Sequence, residues 1–330
     1  MWRARRIQKG VRPFDVYRDL KPVVELIAVA FGDKLDPAGQ VVLTGMRRTA
    51  RRSFLWGLLW PLWGGESIAQ GLVWVEEGRV VGNVSLRRAS QRGGFLIGNV
   101  VVHPDWQGQG IASELMEATL KEVSARGGRW VGLEVQTDNP VAIRLYEKLG
   151  FQEVGSTLHM LRPVGLSWDG DAAPQPALRR GGGRDGAALV KLMRAVIPAP
   201  QRPLLDLRES DYRPGWRRAL EHWFEGRRES WWVIEEGGAL FGAVRALCER
   251  GNYPDRLEVL VAPGHDGRFE APLVHKGMAG LRGASRKRVE TLLPNSTESL
   301  TAALTSVGFQ ELRVLVQMRL NLGHRIPVTG

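Results

Sequence analysis

The sequence predicts an α/β (α+β) protein built twice from one plan. Apolar residues recur at period two in short runs and at helical spacing in longer ones, and the two patterns alternate along most of the chain. Letters repeat as well: Leu149-Gly-Phe-Gln-Glu153 returns as Val307-Gly-Phe-Gln-Glu311, and Val100-Val-Val-His-Pro104 as Val259-Leu-Val-Ala-Pro263, at offsets of 158 and 159 residues. The 330 residues also suit two domains of ordinary size, about 150 residues each. A first domain is expected at 1–163, a Pro-, Gly- and Asp-rich linker at 164–176, and a second domain at 177–330.

Each element has its reason. Asp19 to Phe31 carries apolar residues at helical spacing with Asp19 available as a cap, and a second helix is expected from about Pro37 into Arg47-Arg-Thr-Ala-Arg-Arg52. A run with three tryptophans follows, Phe54-Leu-Trp-Gly-Leu-Leu-Trp-Pro-Leu-Trp63. Ala69–Glu76 and Arg79–Arg87 alternate around Glu77-Gly78, which reads as a hairpin. Phe95–His103 is a strand, apolar from Val100 to Val102 as one covered on both faces should be. A helix at Gly110–Arg126, a strand at Trp130–Gln136, a helix at Pro140–Leu149 and a strand at Gln152–Leu161 complete the first half. The second half repeats this order: a helix at Gly186–Val196, strands at Trp231–Glu236, Leu240–Cys248 and Leu257–Ala262, then a helix at Ala271–Leu281. A strand at Lys287–Leu293, a helix at Thr297–Val307 and a strand after Gly308 end it.

Composition narrows the class. With 43% hydrophobic and 25% charged residues the chain is globular. A single cysteine, Cys248, excludes a disulfide framework and a multi-cysteine zinc site, and no metal is expected. No run is long and apolar enough for a membrane helix, and no apolar stretch follows the basic start, so the expected compartment is the cytoplasm. The net charge of +11 rests on 46 basic residues, of which 38 are arginine, and about +7 of it falls in the first sixty residues. That permits an anionic partner without naming one.

Chemistry concentrates in two segments. Val100-Val-Val-His-Pro-Asp-Trp-Gln-Gly-Gln-Gly-Ile-Ala112 reads as strand, glycine turn and helix start. Gly108 and Gly110 let backbone N–H groups approach a ligand, and a helix N-terminus offers unpaired donors that suit phosphate. The spacing is neither a dinucleotide fingerprint nor a P-loop. Leu133-Glu-Val-Gln-Thr-Asp-Asn-Pro-Val-Ala-Ile-Arg-Leu-Tyr-Glu-Lys-Leu-Gly-Phe151 then runs from a strand into a helix ending at Gly150.

Together these segments closely resemble the GNAT acetyltransferase superfamily. Gln107-x-x-Gly110-x-Ala112 is similar to its acyl-CoA loop, and Asn139-x-x-Ala142-x-x-Leu145-Tyr146-x-x-x-Gly150-Phe151 to its second motif. The run resembles the ribosomal-protein alanine N-acetyltransferases most. The resemblance implies two tandem domains, each a mixed, mainly antiparallel sheet flanked by helices with a splayed central strand pair. It implies acetyl-CoA as co-substrate, its pantetheine arm along Val100, Val101 and Val102. Its pyrophosphate would lie on the loop of Gln107, Gly108, Gln109, Gly110, Ile111, Ala112 and Ser113, with Asn139 as a side-chain contact. Tyr146 would act as general acid toward the departing thiolate, and Glu134 would take the amine's proton, directly or through water. An amide near Val100 or Val102 would polarise the thioester carbonyl. His159 is the alternative base. His103 reads as a turn residue.

The second copy lacks these residues: Phe269 stands six past Pro263 where Gly110 stands six past Pro104, Leu304 replaces Tyr146, and Thr297 replaces Asn139. It reads as a degenerate, non-catalytic domain, the reverse of the mycothiol synthases, where the C-terminal copy is the retained one. The expected activity is N-acetylation of a primary amine, a peptide N-terminus or a small molecule, by direct attack in a ternary complex. The alternative is a non-catalytic acyl-CoA sensor or scaffold that binds an anionic partner through its basic, Trp-rich face. A homodimer fits the sequence, and a nucleic-acid partner is compatible but less favoured. The 54–63 run reads as core, acceptor wall or membrane contact, and these alternatives stay open.

Overall fold

The computed structural model describes residues 9–31, 70–166, 178–281, 286–294 and 296–323. The helix expected from about Pro37 and the 54–63 run lie outside the described residues. Two compact units divide the chain, one formed by 1–154 with 317–330 and the other by 155–316.

In the first unit β1 (Lys9–Pro13), β2 (Gly71–Glu76), β3 (Arg79–Arg88) and β4 (Gly94–Val102) pair antiparallel in sequence order. Glu77 and Gly78 join β2 to β3 with φ of +48° and +79°, the two positive values a two-residue hairpin turn requires. Beside β4 lies β5 (Trp130–Gln136), in parallel. The next neighbour of β5 is β12 (Gln310–Asn321), whose residues from 317 belong to this unit.

Helices cover both faces of this sheet. Helix α1 (Val16–Phe31) packs Leu20, Val23, Val24 and Ile27 on Val73, Val75 and Val101. Helix α2 (Ile111–Ala125) turns Ile111, Leu115, Met116 and Val123 inward. It sits so close to β3 that a Cβ on Gly82 would lie 2.8 Å from Leu115 and 3.1 Å from the Cβ of Trp74. Trp74 thus faces α2 while Val73 and Val75 face α1, the period-two alternation of a strand buried on both sides. Helix α3 (Pro140–Lys148) follows β5.

Asp19 is not the cap of α1. Asp15 is, accepting from the amides of Tyr17 and Arg18 at 2.9 and 3.2 Å. Asp19 lies in the first turn, fully buried, where Arg12 grips both its oxygens at 2.5 and 2.6 Å and the Asp15 amide donates to it. Strand β1, which supplies Arg12, carries no apolar period and went unread in the sequence.

The second unit repeats the plan. Its sheet runs β6 (Gln152–Arg162, from Gly155), β11 (Val289–Leu293), β10 (Asp255–Val261), β9 (Ala239–Cys248), β8 (Arg228–Glu236) and β7 (Leu178–Arg180). Helix α4 (Gly186–Val196) packs on Trp231, Val233, Ala243 and Leu260. Helices α6 (Glu270–Gly280) and α7 (Glu298–Ser306) cover Ile234, Val244, Leu257 and Val259 on the opposite face. Helix α5 (Trp216–Glu225) has no counterpart in the sequence reading.

The last strands depart from the expected boundary at 163. From Gly155 onward β6 belongs to the second unit, pairing Leu158 to Arg162 with Leu293 to Val289 of β11. Arg162 is fully buried there, its Nε donating to the Val307 carbonyl at 2.7 Å and Nη2 to that of Leu166 at 2.9 Å. The end of β12 supplies the first unit with the strand that β6 does not. Leu322 donates its amide to the Arg129 carbonyl at 2.8 Å, and the Arg319 guanidinium lies 4.9 Å over the Trp130 ring.

Candidate active site

The parallel pairing of β4 and β5 stops early. It runs from Gly94↔Trp130 to Ile97↔Leu133, while β4 continues to Val102 and β5 to Gln136. The cause lies in β4. Its register on β3 slips by one residue between Ser85↔Gly98 and Asn83↔Val101, and Asn99 takes a φ of +48°. This is a β-bulge, which bends a strand away from its neighbour. Buried Asn83 donates to the Asn99 carbonyl at 3.1 Å, and the Asn99 side chain donates to Ser85 Oγ at 3.3 Å. Beyond the bulge Val101 is buried and Val100 and Val102 are half-buried. The amide of His103 points to β3, bonding the Val81 carbonyl at 2.8 Å. By the alternation of a strand, the Val102 amide is aimed the other way, into the opened cleft beside β5.

A short turn at Pro104–Trp106 follows, capped by His103, whose Nδ1 accepts from the Asp105 amide at 3.3 Å. His103 is thus the turn residue its position suggested. Gln107 donates its side-chain amide to the Val102 carbonyl at 3.1 Å and so ties the loop to the strand end. Gly108 and Gly110 stand at φ +77° and +80°, where a side chain is strained, with nothing within 4 Å of either Cβ direction. The space above the loop is open on both sides of Gln109. Gly110 begins α2 with no side-chain cap, so Ile111, Ala112 and Ser113 present the first-turn amides that a helix cannot satisfy itself. These donors and the dipole behind them fit a diphosphate.

On the far side of the cleft, Asn139 caps α3: its Oδ1 accepts from the Ala142 amide at 3.1 Å, leaving the amide nitrogen as a donor on an exposed side chain. The second unit keeps this cap, with Thr297 Oγ1 accepting from Leu300 at 3.3 Å, and loses the nitrogen. Capping therefore needs only an oxygen here, and the extra donor distinguishes the first copy. Tyr146 is buried on α3 beside Phe151, with ring centroids 6.0 Å apart. Burial pushes its phenol up to about 12, so the hydroxyl keeps its proton at any working pH.

Glu134 is exposed on β5, and its Oε1 accepts from Gln317 Nε2 at 3.0 Å. Gln317 is fully buried and comes from the end of β12. Sequence reading missed it, although the signal was present: Gln317 stands 158 residues after His159, the repeat offset itself. His159 belongs to the second unit, opposite Leu292. The place expected for its strand beside β5 is filled by β12. Gln317→Leu keeps the volume and removes the donor. Gln317 Oε1 has no hydrogen-bond partner among the described residues, so the unfolding temperature should hold or rise. If Glu134 serves catalysis, kcat should fall about tenfold for the lost bond to a charged group.

The second unit's cleft differs at the phosphate end. Strands β10 and β11 pair only at Asp255↔Val289 and Arg256↔Glu290 before separating. Yet Glu270, almost wholly buried, accepts from the Gly267 amide at 2.9 Å and the Phe269 amide at 3.1 Å. A carboxylate of the chain itself thus occupies amides of the loop that leads into α6. Leu304, in the place of Tyr146, is fully buried.

A bulged, splayed parallel pair with a glycine turn into an uncapped helix is the arrangement that the resemblance to the GNAT acetyltransferases implies. Residues 46–151 match the Acetyltransferase (GNAT) family. The [ribosomal protein bS18]-alanine N-acetyltransferase of Escherichia coli K12 is 46% identical over 55 residues, 17% of this chain and 37% of that protein. The mycothiol acetyltransferase of Nocardiopsis dassonvillei is 48% identical over 52 residues, 16% of each. The likeness thus spans well under half of these relatives' lengths. Among solved structures, a tandem GNAT protein from the clavulanic acid biosynthesis pathway covers 96% of this chain and 100% of its own at TM-score 0.59 and 16% identity. A GCN5-related N-acetyltransferase from Sphaerobacter thermophilus covers 97% and 98% at TM-score 0.66 and 14% identity. At those identities the likeness is one of fold: the whole chain has the fold of a tandem GNAT protein.

Proposed function

We propose that the first unit is an acetyl-CoA-dependent N-acetyltransferase acting on a primary amine, and that the second unit does not turn over. The observation that carries this reading is the contrast between the two loops that lead into these helices: open space at Gly108 and Gly110 before an uncapped helix start, against a carboxylate, Glu270, that holds the Gly267 and Phe269 amides. The open loop of Gln107 to Ser113 would hold the diphosphate, and the bulged segment Val100–Val102 would run beside the pantetheine arm. Acetyl-CoA bound there supplies an activated acyl carbon. The Val102 amide is aimed to bind the carbonyl oxygen as negative charge develops on it. Glu134, oriented by Gln317, takes the ammonium proton, directly or through water, and frees the lone pair that attacks. The new C–N bond would form and the C–S bond break, with the Tyr146 hydroxyl donating a hydrogen bond to the departing sulfur, while the second proton lost from the nitrogen goes to the thiolate, directly or through water.

A peptide N-terminus is the favoured acceptor. The support is the 46% identity, across the motif segment, to an enzyme named as a ribosomal-protein alanine N-acetyltransferase. Mass spectrometry of peptides, polyamines and aminoglycosides incubated with the chain and acetyl-CoA tests both points. An amide product 42 mass units heavier (about one acetyl group) on the peptide panel is expected. Tight coenzyme binding with no acetylated product on any amine would favour the sensing alternative.

A further inference from the structure

Helix α5 is turned inside out. Trp216, Leu220, Trp223 and Phe224, at i, i+4, i+7 and i+8, form one stripe and are 73, 46, 70 and 72% exposed. The polar edge faces the protein instead. Arg218 bonds Glu229 at 3.1 Å and Asp211 at 3.0 Å, and Glu229 also binds Arg245 at 2.6 Å. His222, the one buried residue of the helix, sits 3.8 Å from Glu229. A helix that buries its ion pairs and exposes its tryptophans is shaped for an apolar neighbour on its outer side.

The charge around the stripe says what kind of neighbour. Arg213 and Arg217 are exposed at the helix start, the latter 5.3 Å over the Trp216 ring. Exposed Arg180 and Arg228 line a cavity of about 520 Å³ with Ala219 and Trp223. The two helix carboxylates, Glu221 and Glu225, fall by helical phase on the edge away from the stripe, and Glu225 is paired with Arg227 at 2.8 Å. Contact of this face with a second copy of itself would bring arginines against arginines. An anionic lipid surface takes both features at once: rings below the headgroups, guanidinium groups among the phosphates. The first half carries the same spacing in sequence. Trp56, Trp60 and Trp63 stand 160 residues before Trp216, Leu220 and Trp223, the offset that also relates Gly82 to Gly242, which crowd Leu115 and Leu273 alike.

We infer that α5 is a peripheral membrane-binding element that seats its Trp216–Phe224 stripe in the headgroup region of an anionic bilayer. Flotation of the full chain with vesicles of phosphatidylglycerol and phosphatidylcholine, against phosphatidylcholine alone, tests it. Binding to the anionic vesicles, weakened by salt, is expected. The triple change Trp216→Ser, Trp223→Ser, Phe224→Ser keeps every charge and should lower partitioning at least about tenfold. Arg213→Gln and Arg217→Gln should each lower it about fivefold. All these side chains are exposed, so unchanged thermal unfolding will show that the variants fold. No flotation of the unaltered chain, or equal flotation of the triple variant, overturns the inference. So does a dimer in solution that the triple variant dissolves while neither protein binds vesicles, because that result gives the face to a second copy.

Discussion

Tyr146→Phe is expected to lower kcat about a hundredfold while the acetyl-CoA dissociation constant stays within about twofold. The ring keeps its packing against Phe151, and only the hydroxyl is lost. The size of the effect follows from how the phenol can act. Burial places it at about 12. A thiol ordinarily titrates near 8.5, so complete proton transfer from Tyr146 to a departing thiolate runs uphill by about 3.5 units, roughly 5 kcal/mol. In the proposed mechanism the hydroxyl would therefore act chiefly as a hydrogen-bond donor to the developing charge rather than as a full general acid, a role whose removal costs about 2 to 4 kcal/mol.

The pH profile follows the same sign. A raised phenol keeps its proton, so kcat should not fall on the alkaline side through Tyr146 until the pH nears 12. In the proposed mechanism the acid limb would belong to the amine and its base, and it should keep its midpoint in Tyr146→Phe. Turnover equal to that of the unaltered chain removes Tyr146 from the mechanism. A dissociation constant that rises as much as kcat falls makes it a packing residue instead.

How legible this was depends on the length scale of each feature. The glycine turn and the helix that starts at Pro140 are set by neighbours within a few residues, so the letters around them suffice. Strand β1 is five residues with a proline and no period, and its role depends on Arg12 reaching Asp19 across seven positions. The exchange of last strands is invisible to local pattern, because β6 and β12 read as strands wherever they pair. Only the repeat offset linking His159 to Gln317 pointed to it. Helix α5 was missed for a different reason. Its apolar stripe is present, but its burial is inverted, so the rule that apolar faces point inward fails there.

Titration with acetyl-CoA should give one site per chain, and Glu270 explains why. In the first unit Gly110 begins α2 with no side-chain cap among the described residues; in the second, Glu270 reaches back to the Gly267 and Phe269 amides. A carboxylate is a fair substitute for phosphate at a helix N-terminus, since both are anionic acceptors matched to the dipole. Being tethered, it does not leave. Glu270→Ala should therefore destabilise the second unit by about 1 to 3 kcal/mol, because the buried Phe269 amide loses its acceptor while the exposed Gly267 amide can turn to water. In thermal unfolding that corresponds to a fall of roughly 3 to 10 °C in its transition. Added acetate should restore part of the loss where chloride at equal ionic strength does not, since only the former offers two oxygens to the vacated donors. The second cleft should still fail to take acetyl-CoA, because Phe269 stands where Gly110 leaves room and Leu304 has replaced the phenol. Two equal sites in the unaltered chain would mean that the Glu270 carboxylate swings aside at little cost, and the division of labour between the two copies would fall.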